Sequence, residues 1–171
     1  MRIQHAGDLT WGDGKNGKGN PEQVSLQTLL ESSSRTFAFV LPKLPSPLDD
    51  LLAAAYLQAR VVDEIEDNRE IHWEHKRNRM NEVIGAMRSN DAELVKSIQR
   101  TFVGIEPTKP GYIPLLNNLD VVHEELRIHP KKIRDIIERY SLEMADGLSD
   151  PKIQRIRTLE DHHRYCHYAA G

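Results

Sequence analysis

The chain has 171 residues, of which 39% are apolar, so it is long enough to bury a hydrophobic core as a single domain. The 23 basic and 26 acidic residues give a formal net charge of -3, which argues against a nucleic-acid partner. A single cysteine excludes an internal disulfide and favours a reducing, cytoplasmic setting. No apolar run reaches the length of a transmembrane span, so any membrane contact is expected to be peripheral.

The first segment, residues 1–21, is rich in glycine and poor in groups that could be buried. We predict that it is a flexible leader, followed by one helical domain over residues 22–171. From Pro21 onward apolar residues recur at helical spacing, and no alternating strand pattern persists. The sequence therefore predicts an all-α fold of six or seven helices.

Local signals mark where some of these helices begin and end. Ser46 and Pro47 match an N-cap followed by a proline at the first helical position, which predicts a helix from Ser46 to about Asn68. Thr158 marks a similar start for the last helix. The prolines and the glycine at 107–111 predict a break between them.

One face of the helix that begins near Ser46 carries an aromatic, a basic and several acidic side chains: Tyr56, Arg60, Asp63, Glu66 and Asp67. At 100° per residue these positions lie close together around the helix axis, and we expect the three carboxylates to converge over one turn. Glu64 lies about 100° from Asp63 and is expected to point elsewhere.

This acidic stripe has two interpretations. It is either an ordinary solvated helix face or a site for a divalent cation. Acidic residues near a helix C-terminus oppose the helix dipole, by about 0.3–1 kcal/mol each, which favours a functional reason for their placement. Magnesium prefers carboxylate oxygens and often completes its coordination with substrate phosphate, which Arg60 would also contact.

Three motifs occur in order along the chain. The first is Ser34-Arg35-Thr36-Phe37, the second is Y-x-x-x-R-x-x-D-x-x-E-D at 56–67, and the third is Y-C-H-Y-A-A-G at 165–171. Together they resemble the squalene/phytoene synthase family, and within it most of all the squalene synthases (farnesyl-diphosphate farnesyltransferases). The resemblance runs from about residue 24 to the last residue.

The resemblance implies an isoprenoid (terpenoid) synthase helical fold and an enzyme of isoprenoid and lipid biosynthesis. Such an enzyme condenses two farnesyl diphosphates head to head, with Mg²⁺, to presqualene diphosphate and then reduces this intermediate to squalene with NADPH. A phytoene or dehydrosqualene synthase-like transferase is one alternative. A non-catalytic module that binds prenyl diphosphate or a partner helix is another.

The resemblance also implies a role for each motif residue. The metal ligands would be Asp63, Glu66 and Asp67. Phosphate groups of the substrate or of NADPH would be bound by Ser34, Arg35 and Arg60. The prenyl pocket would be lined by Phe37 and Tyr56. The catalytic residue would be Tyr165, acting in proton removal during the first condensation.

The chain departs from the family pattern in one respect. Family members carry a second acidic motif some tens of residues after the Y-C-x-Y signature, and no segment of this chain matches it. We therefore expect an incomplete, N-terminal portion of the fold, located in the cytoplasm, with peripheral contact at a membrane surface as a further possibility. It should expose apolar surface, which favours self-association.

Two further expectations concern residues to which the resemblance gives no role. Cys166 is expected to be a small core residue. The segments Glu160-x-x-His163 and Asp120-x-x-His123 resemble the Glu-x-x-His pairs of di-metal helical bundles, which gives a third candidate function with iron as the metal.

Overall fold

The computed structural model describes residues 24–150 and 156–170, so the predicted leader lies outside the described residues. These ranges contain no strand, which confirms the all-α prediction. Their α-helices are α1 Leu26–Ser33, α2 Arg35–Val40, α3 Leu48–Asp67, α4 Trp73–Arg88, α5 Ala92–Arg100, α6 Ile113–Leu116, α7 Leu119–Ile128, α8 Lys131–Leu148 and α9 Leu159–Ala170. Short 3₁₀ turns cover Leu41–Lys43 and Pro110–Tyr112.

The described residues thus form nine α-helices, and the prediction of six or seven is too low. The excess comes from α2 and α6, which have six and four residues. Each is too short to show helical periodicity in the sequence. Among the described helices, none combines the length and apolarity that crossing a bilayer requires.

Of the two predicted helix starts, one is confirmed and the other has a different N-cap. The start of α9 is confirmed: the Thr158 hydroxyl accepts from the Asp161 N–H at 3.1 Å, and the Asp161 carboxylate accepts from the Thr158 N–H at 3.0 Å. This is a reciprocal capping box. The predicted N-cap of α3 is wrong, because Pro47 occupies the cap position without a side-chain bond and Leu48 N–H donates to the Pro45 carbonyl at 2.9 Å. A turn replaces the serine cap.

The longest helix, α3, runs through the centre of the core. It packs against α1, α4, α7 and α8. Its buried apolar face consists of Ala53, Ala54, Leu57, Val61, Val62 and Ile65. Each large side chain of this face contributes about 1.5–3 kcal/mol by its removal from water. The opposite face of α3 is thereby held in a fixed position, and it carries the acidic stripe.

Two contacts place the helices that face this stripe. The buried Gln58 amide on α3 donates to the Ser141 hydroxyl on α8 at 2.7 Å. On α8, Gly147 leaves room for the Tyr168 ring of α9, since a Cβ at position 147 would lie 2.0 Å from the Tyr168 Cγ. Without a side chain at 147, α9 packs closely on α8. These contacts leave α2, α3, α8 and α9 around one cavity.

Candidate functional site

The cavity between α2, α3, α8 and α9 has a volume of about 650 Å³, and its wall is mostly apolar. Four residues singled out from the sequence line it: Phe37, Tyr56, Arg60 and Asp63. The Phe37 and Tyr56 rings stack with their centroids 4.1 Å apart. Arg60 and Asp63 lie one and two turns further along α3, so the cavity has an aromatic, apolar body and a charged end.

Part of the cavity wall is open to solvent. The exposed fraction is 42% for Leu52, 38% for Ile136 and 60% for Tyr140, although all three line the cavity. Large exposed apolar side chains grouped in this way are typical of a surface that binds something. This agrees with the apolar exposure that we expected. Self-association and contact with a membrane through this surface stay predictions.

At the charged end, Arg60 donates from Nη1 to the Asp63 carboxylate. The same guanidinium lies 5.1 Å from the ring centroid of Tyr112, and the Lys109 ammonium lies 5.8 Å from that ring. Burial raises the pKa of Asp63 to about 6, and the charge of Asp67 adds to this, while Arg60 and Lys109 act against it. Two cations therefore face one partly buried carboxyl.

The other two acidic residues lie one turn further on. Burial raises the pKa of Glu66 to about 7, helped by a hydrogen bond to Asp67 and by the negative charges of Asp67 and Asp63. Asp67 is exposed and lines a second cavity, of about 530 Å³, together with Lys109. The acidic stripe thus runs from Asp63 in the main cavity to Asp67 at the second one.

The three carboxylates do not converge as predicted. In the described part of the chain, no three Asp, Glu, His or Cys side chains are grouped so that they hold a metal ion by themselves. Asp63 turns back to Arg60, while Glu66 pairs with Asp67. A cation here needs further oxygen ligands, such as diphosphate and water, and the assignment of Asp63, Glu66 and Asp67 as metal ligands stays a prediction.

The raised pKa of Glu66 predicts a pH-dependent difference in stability. The carboxyl titrates near 7 in the folded chain and near 4.5 when unfolded. Below about pH 4.5 the carboxyl is protonated in both states, so it does not lower the free energy of unfolding. Above about pH 7 it is ionised in both states, and the full cost of holding the charge in the folded chain is present. We expect Glu66→Gln to gain about 1 kcal/mol over the wild type across this window, a value reduced for partial exposure. Urea unfolding at several pH values measures it, and a pH-independent difference would contradict it.

Tyr165 lies near the same carboxylates although it is on another helix. Its side chain is half-buried, and burial followed by the charges of Glu66, Asp67 and Asp63 raises the pKa of its phenol. The phenol is therefore held in its neutral form, in which it donates a hydrogen bond. Neutralising the charge of the neighbouring carboxylates would lower this pKa and make the phenolate easier to form.

The structure gives less support for the roles of the first motif, Ser34 to Phe37, than for those of the second. Ser34 is half-buried just before α2, and Arg35 is exposed. Neither residue lines the main cavity. The end of α1 is nevertheless close to the Tyr112 turn, because a Cβ on Gly111 would lie 2.2 Å from the Ser32 carbonyl oxygen. The phosphate-binding roles of Ser34 and Arg35 stay predictions.

Sequence reasoning missed the residues that approach the acidic stripe from the loop 105–109 and the turn after it. Lys109 and Tyr112 lie beside Arg60, as described above. Glu64 points away from Asp63 as predicted, and it is buried at 2% exposure because it binds Thr108 in this loop. The only sequence signal for this loop was the polar break at 107–111. Such a break does not show which helix the loop contacts.

Two other expectations are wrong. Cys166 is exposed, and its nearest polar contact is His162, with Sγ 3.7 Å from Nε2. The di-metal alternative fails because the described residues contain no cluster of metal ligands. The buried His123 instead donates from Nε2 to the Ser89 carbonyl at 2.8 Å. It therefore has a structural partner.

Comparisons with known proteins agree with the motifs. The family model described as squalene/phytoene synthase matches residues 30–171. Squalene synthase ERG9 of Candida albicans is 30% identical over 164 residues, which cover 92% of this chain and 35% of that protein. Lycopaoctaene synthase of Botryococcus braunii is 27% identical over 144 residues, which cover 84% of this chain and 30% of that protein.

A solved structure gives the same result for the fold. TcSQS in complex with the ligand BPH1237 superposes with a TM-score of 0.71 at 25% identity, covering 85% of this chain and 40% of that one. This confirms the isoprenoid synthase helical fold. The chain spans about a third of the length of the curated relatives that it matches.

Proposed function

Since the chain belongs to the squalene/phytoene synthase family, we propose that it binds farnesyl diphosphate for head-to-head condensation to presqualene diphosphate and then squalene. The observation that carries this proposal is a single cavity with a stacked aromatic pair in its body and an Arg60–Asp63 pair at its end. An apolar cavity suits a prenyl chain, and a charged end suits a diphosphate.

The aromatic pair suits the reaction as well as the substrate. Loss of diphosphate from an allylic carbon leaves a cation, and the faces of aromatic rings stabilise cations. Phe37 and Tyr56 offer such faces within the cavity.

The acidic residues suit magnesium by their donor chemistry. Asp63, Glu66 and Asp67 offer hard carboxylate oxygens, and burial raises the pKa values of Asp63 and Glu66, so that a bound cation would favour their charged forms. Magnesium takes one or two carboxylates and fills its remaining positions with phosphate and water. When bound, the ion would offset the charge of the departing diphosphate. Arg60 would contact the phosphate oxygens directly.

Tyr165 is proposed to take part in proton removal during the first condensation. Its phenol lies within the field of the three carboxylates, which favours the neutral form. Neutralising these carboxylates would lower the pKa of Tyr165, so that the phenol would lose its own proton more readily and its phenolate oxygen would become available as the proton acceptor. The tyrosine and the acidic stripe would thus act together.

NADPH is proposed as the reductant for the second half of the reaction, on the resemblance to squalene synthases. The Arg35 guanidinium is exposed, and guanidinium groups suit the phosphates of either NADPH or farnesyl diphosphate. Ser34 adds a neutral hydroxyl beside it. Calorimetric titration of the chain with NADPH, with Arg35→Met as the comparison, tests this part separately.

Calorimetry with farnesyl diphosphate tests the proposal. We expect binding that needs Mg²⁺ and that is tighter than binding of inorganic pyrophosphate, because the cavity adds contacts with the prenyl chain. Equal affinity for the two ligands would argue against a prenyl pocket. Binding without any release of pyrophosphate would favour the non-catalytic module.

A further inference from the structure

A partly buried cluster of hydrogen bonds joins the C-terminal turns of α3 to the loop 105–109. We call it the Glu64 tie, and it consists of Glu64, Asn68 and Thr108. Glu64 Oε1 accepts from the Thr108 N–H and from Asn68 Nδ2, both at 2.9 Å, and Oε2 accepts from the Thr108 hydroxyl at 2.5 Å. Asn68 Nδ2 also donates to the Glu106 carbonyl at 3.0 Å.

The tie determines where the next residues of the loop lie. Lys109 follows Thr108 directly, and the Tyr112 turn comes three residues later. The buried Tyr112 ring has the Arg60 guanidinium and the Lys109 ammonium near it. Lys109 is also one of the charges that act on Asp63. The loop position therefore decides how close a second cation stands to the Arg60–Asp63 pair.

A carboxylate is a costly choice at position 64 if packing is its only role. Its removal from water is unfavourable unless its oxygens find donors. It also adds a fourth acidic residue to a turn that already contains Asp63, Glu66 and Asp67. Charge-assisted hydrogen bonds are about twice as strong as neutral ones, so a carboxylate holds the loop more firmly than an amide would. The two hydrogen bonds from Thr108 to Glu64 thus hold the loop to α3.

We propose that Glu64 is a positioning residue of the diphosphate site, acting through Thr108 to keep Lys109 and Tyr112 against Arg60. This inference rests on the proposed function, because it assumes that an anion binds beside Arg60. Glu64 itself does not touch the ligand. It raises the affinity for the anion by preventing the loop from moving away with its positive charge.

A matched pair of variants at Thr108 tests this role. Thr108→Val removes the hydroxyl but keeps the backbone N–H and the side-chain shape, whereas Thr108→Ser keeps the hydroxyl. Calorimetric titration of the 171-residue chain with inorganic pyrophosphate and Mg²⁺ gives the dissociation constants. We expect Thr108→Val to bind about tenfold more weakly than the wild type, and Thr108→Ser to stay within about twofold. Thermal unfolding of Thr108→Val is expected at a lower temperature than that of Thr108→Ser, because the buried Glu64 carboxylate loses a hydrogen-bond donor only in the valine variant.

A double-mutant cycle separates positioning from general destabilisation. If the tie acts through Lys109, Thr108→Val adds less than about twofold to the loss caused by Lys109→Met. Additive losses would overturn the proposal, as would equal affinities for Thr108→Val and Thr108→Ser. A wild-type chain that binds no pyrophosphate would overturn the proposed function and this role with it. Binding by the wild type with no effect of Thr108→Val would overturn the positioning role alone.

Discussion

Asp63→Asn is expected to weaken the binding of pyrophosphate in the presence of Mg²⁺ by about 100-fold, because it removes a carboxylate from the proposed metal site. The change is nearly isosteric, and the side chain is 23% exposed, so the helix should keep its fold. Calorimetry at a fixed Mg²⁺ concentration measures the effect on the chain itself.

Without metal, we expect no loss of pyrophosphate affinity in the same variant. Asp63 pairs with Arg60 and so competes with an incoming anion for the guanidinium. With metal removed by a chelator, Asp63→Asn should therefore bind pyrophosphate at least as well as the wild type. Equal losses with and without Mg²⁺ would mean that Asp63 only orients Arg60. Asp50→Asn, in the exposed first turn of the same helix, is the matched control and should change neither affinity.

Tyr165→Phe is expected to lower turnover by at least about 100-fold while farnesyl diphosphate binding stays within about twofold, because it removes only the group proposed to take part in proton removal. A chimera provides the assay, with this chain replacing the matching third of a fungal squalene synthase. The measured quantity is the formation of presqualene diphosphate in a single turnover.

The control for this variant is the next residue of the same helix. Cys166 is exposed, and Cys166→Ser preserves its size and position. We expect the serine variant to turn over at the wild-type rate. A Tyr165→Phe chimera that still forms presqualene diphosphate at that rate would remove Tyr165 from the mechanism, whereas a matching loss of binding would give it a structural role.

The sequence could predict the main helices and most of the cavity because both depend on short-range periodicity. The α3 helix was predicted to run from Ser46 to about Asn68 and runs from Leu48 to Asp67. Tyr56, Arg60 and Asp63 share one face at helical spacing, and this is enough to direct them to the same cavity.

The remaining features depend on contacts that no local pattern contains. A helical wheel gives the direction of each Cβ but not the side-chain rotamer. It could not show that Asp63 turns towards Arg60 and away from Glu66 and Asp67. The Glu64 tie joins residues 44 positions apart. Cys166 looked like a core residue by type, yet the packing of α9 on α8 through Gly147 leaves it exposed.

The most direct test of the account is a crystal structure of the chain with Mn²⁺ and a non-hydrolysable farnesyl thiodiphosphate, since manganese gives an anomalous signal and prefers the same oxygen ligands. We predict manganese peaks at the acidic end of α3, within about 2.5 Å of carboxylate oxygens that include Asp63. The prenyl chain should lie in the cavity against Phe37 and Tyr56. An analogue bound elsewhere, or a cavity filled while the acidic end holds no manganese, would contradict the account.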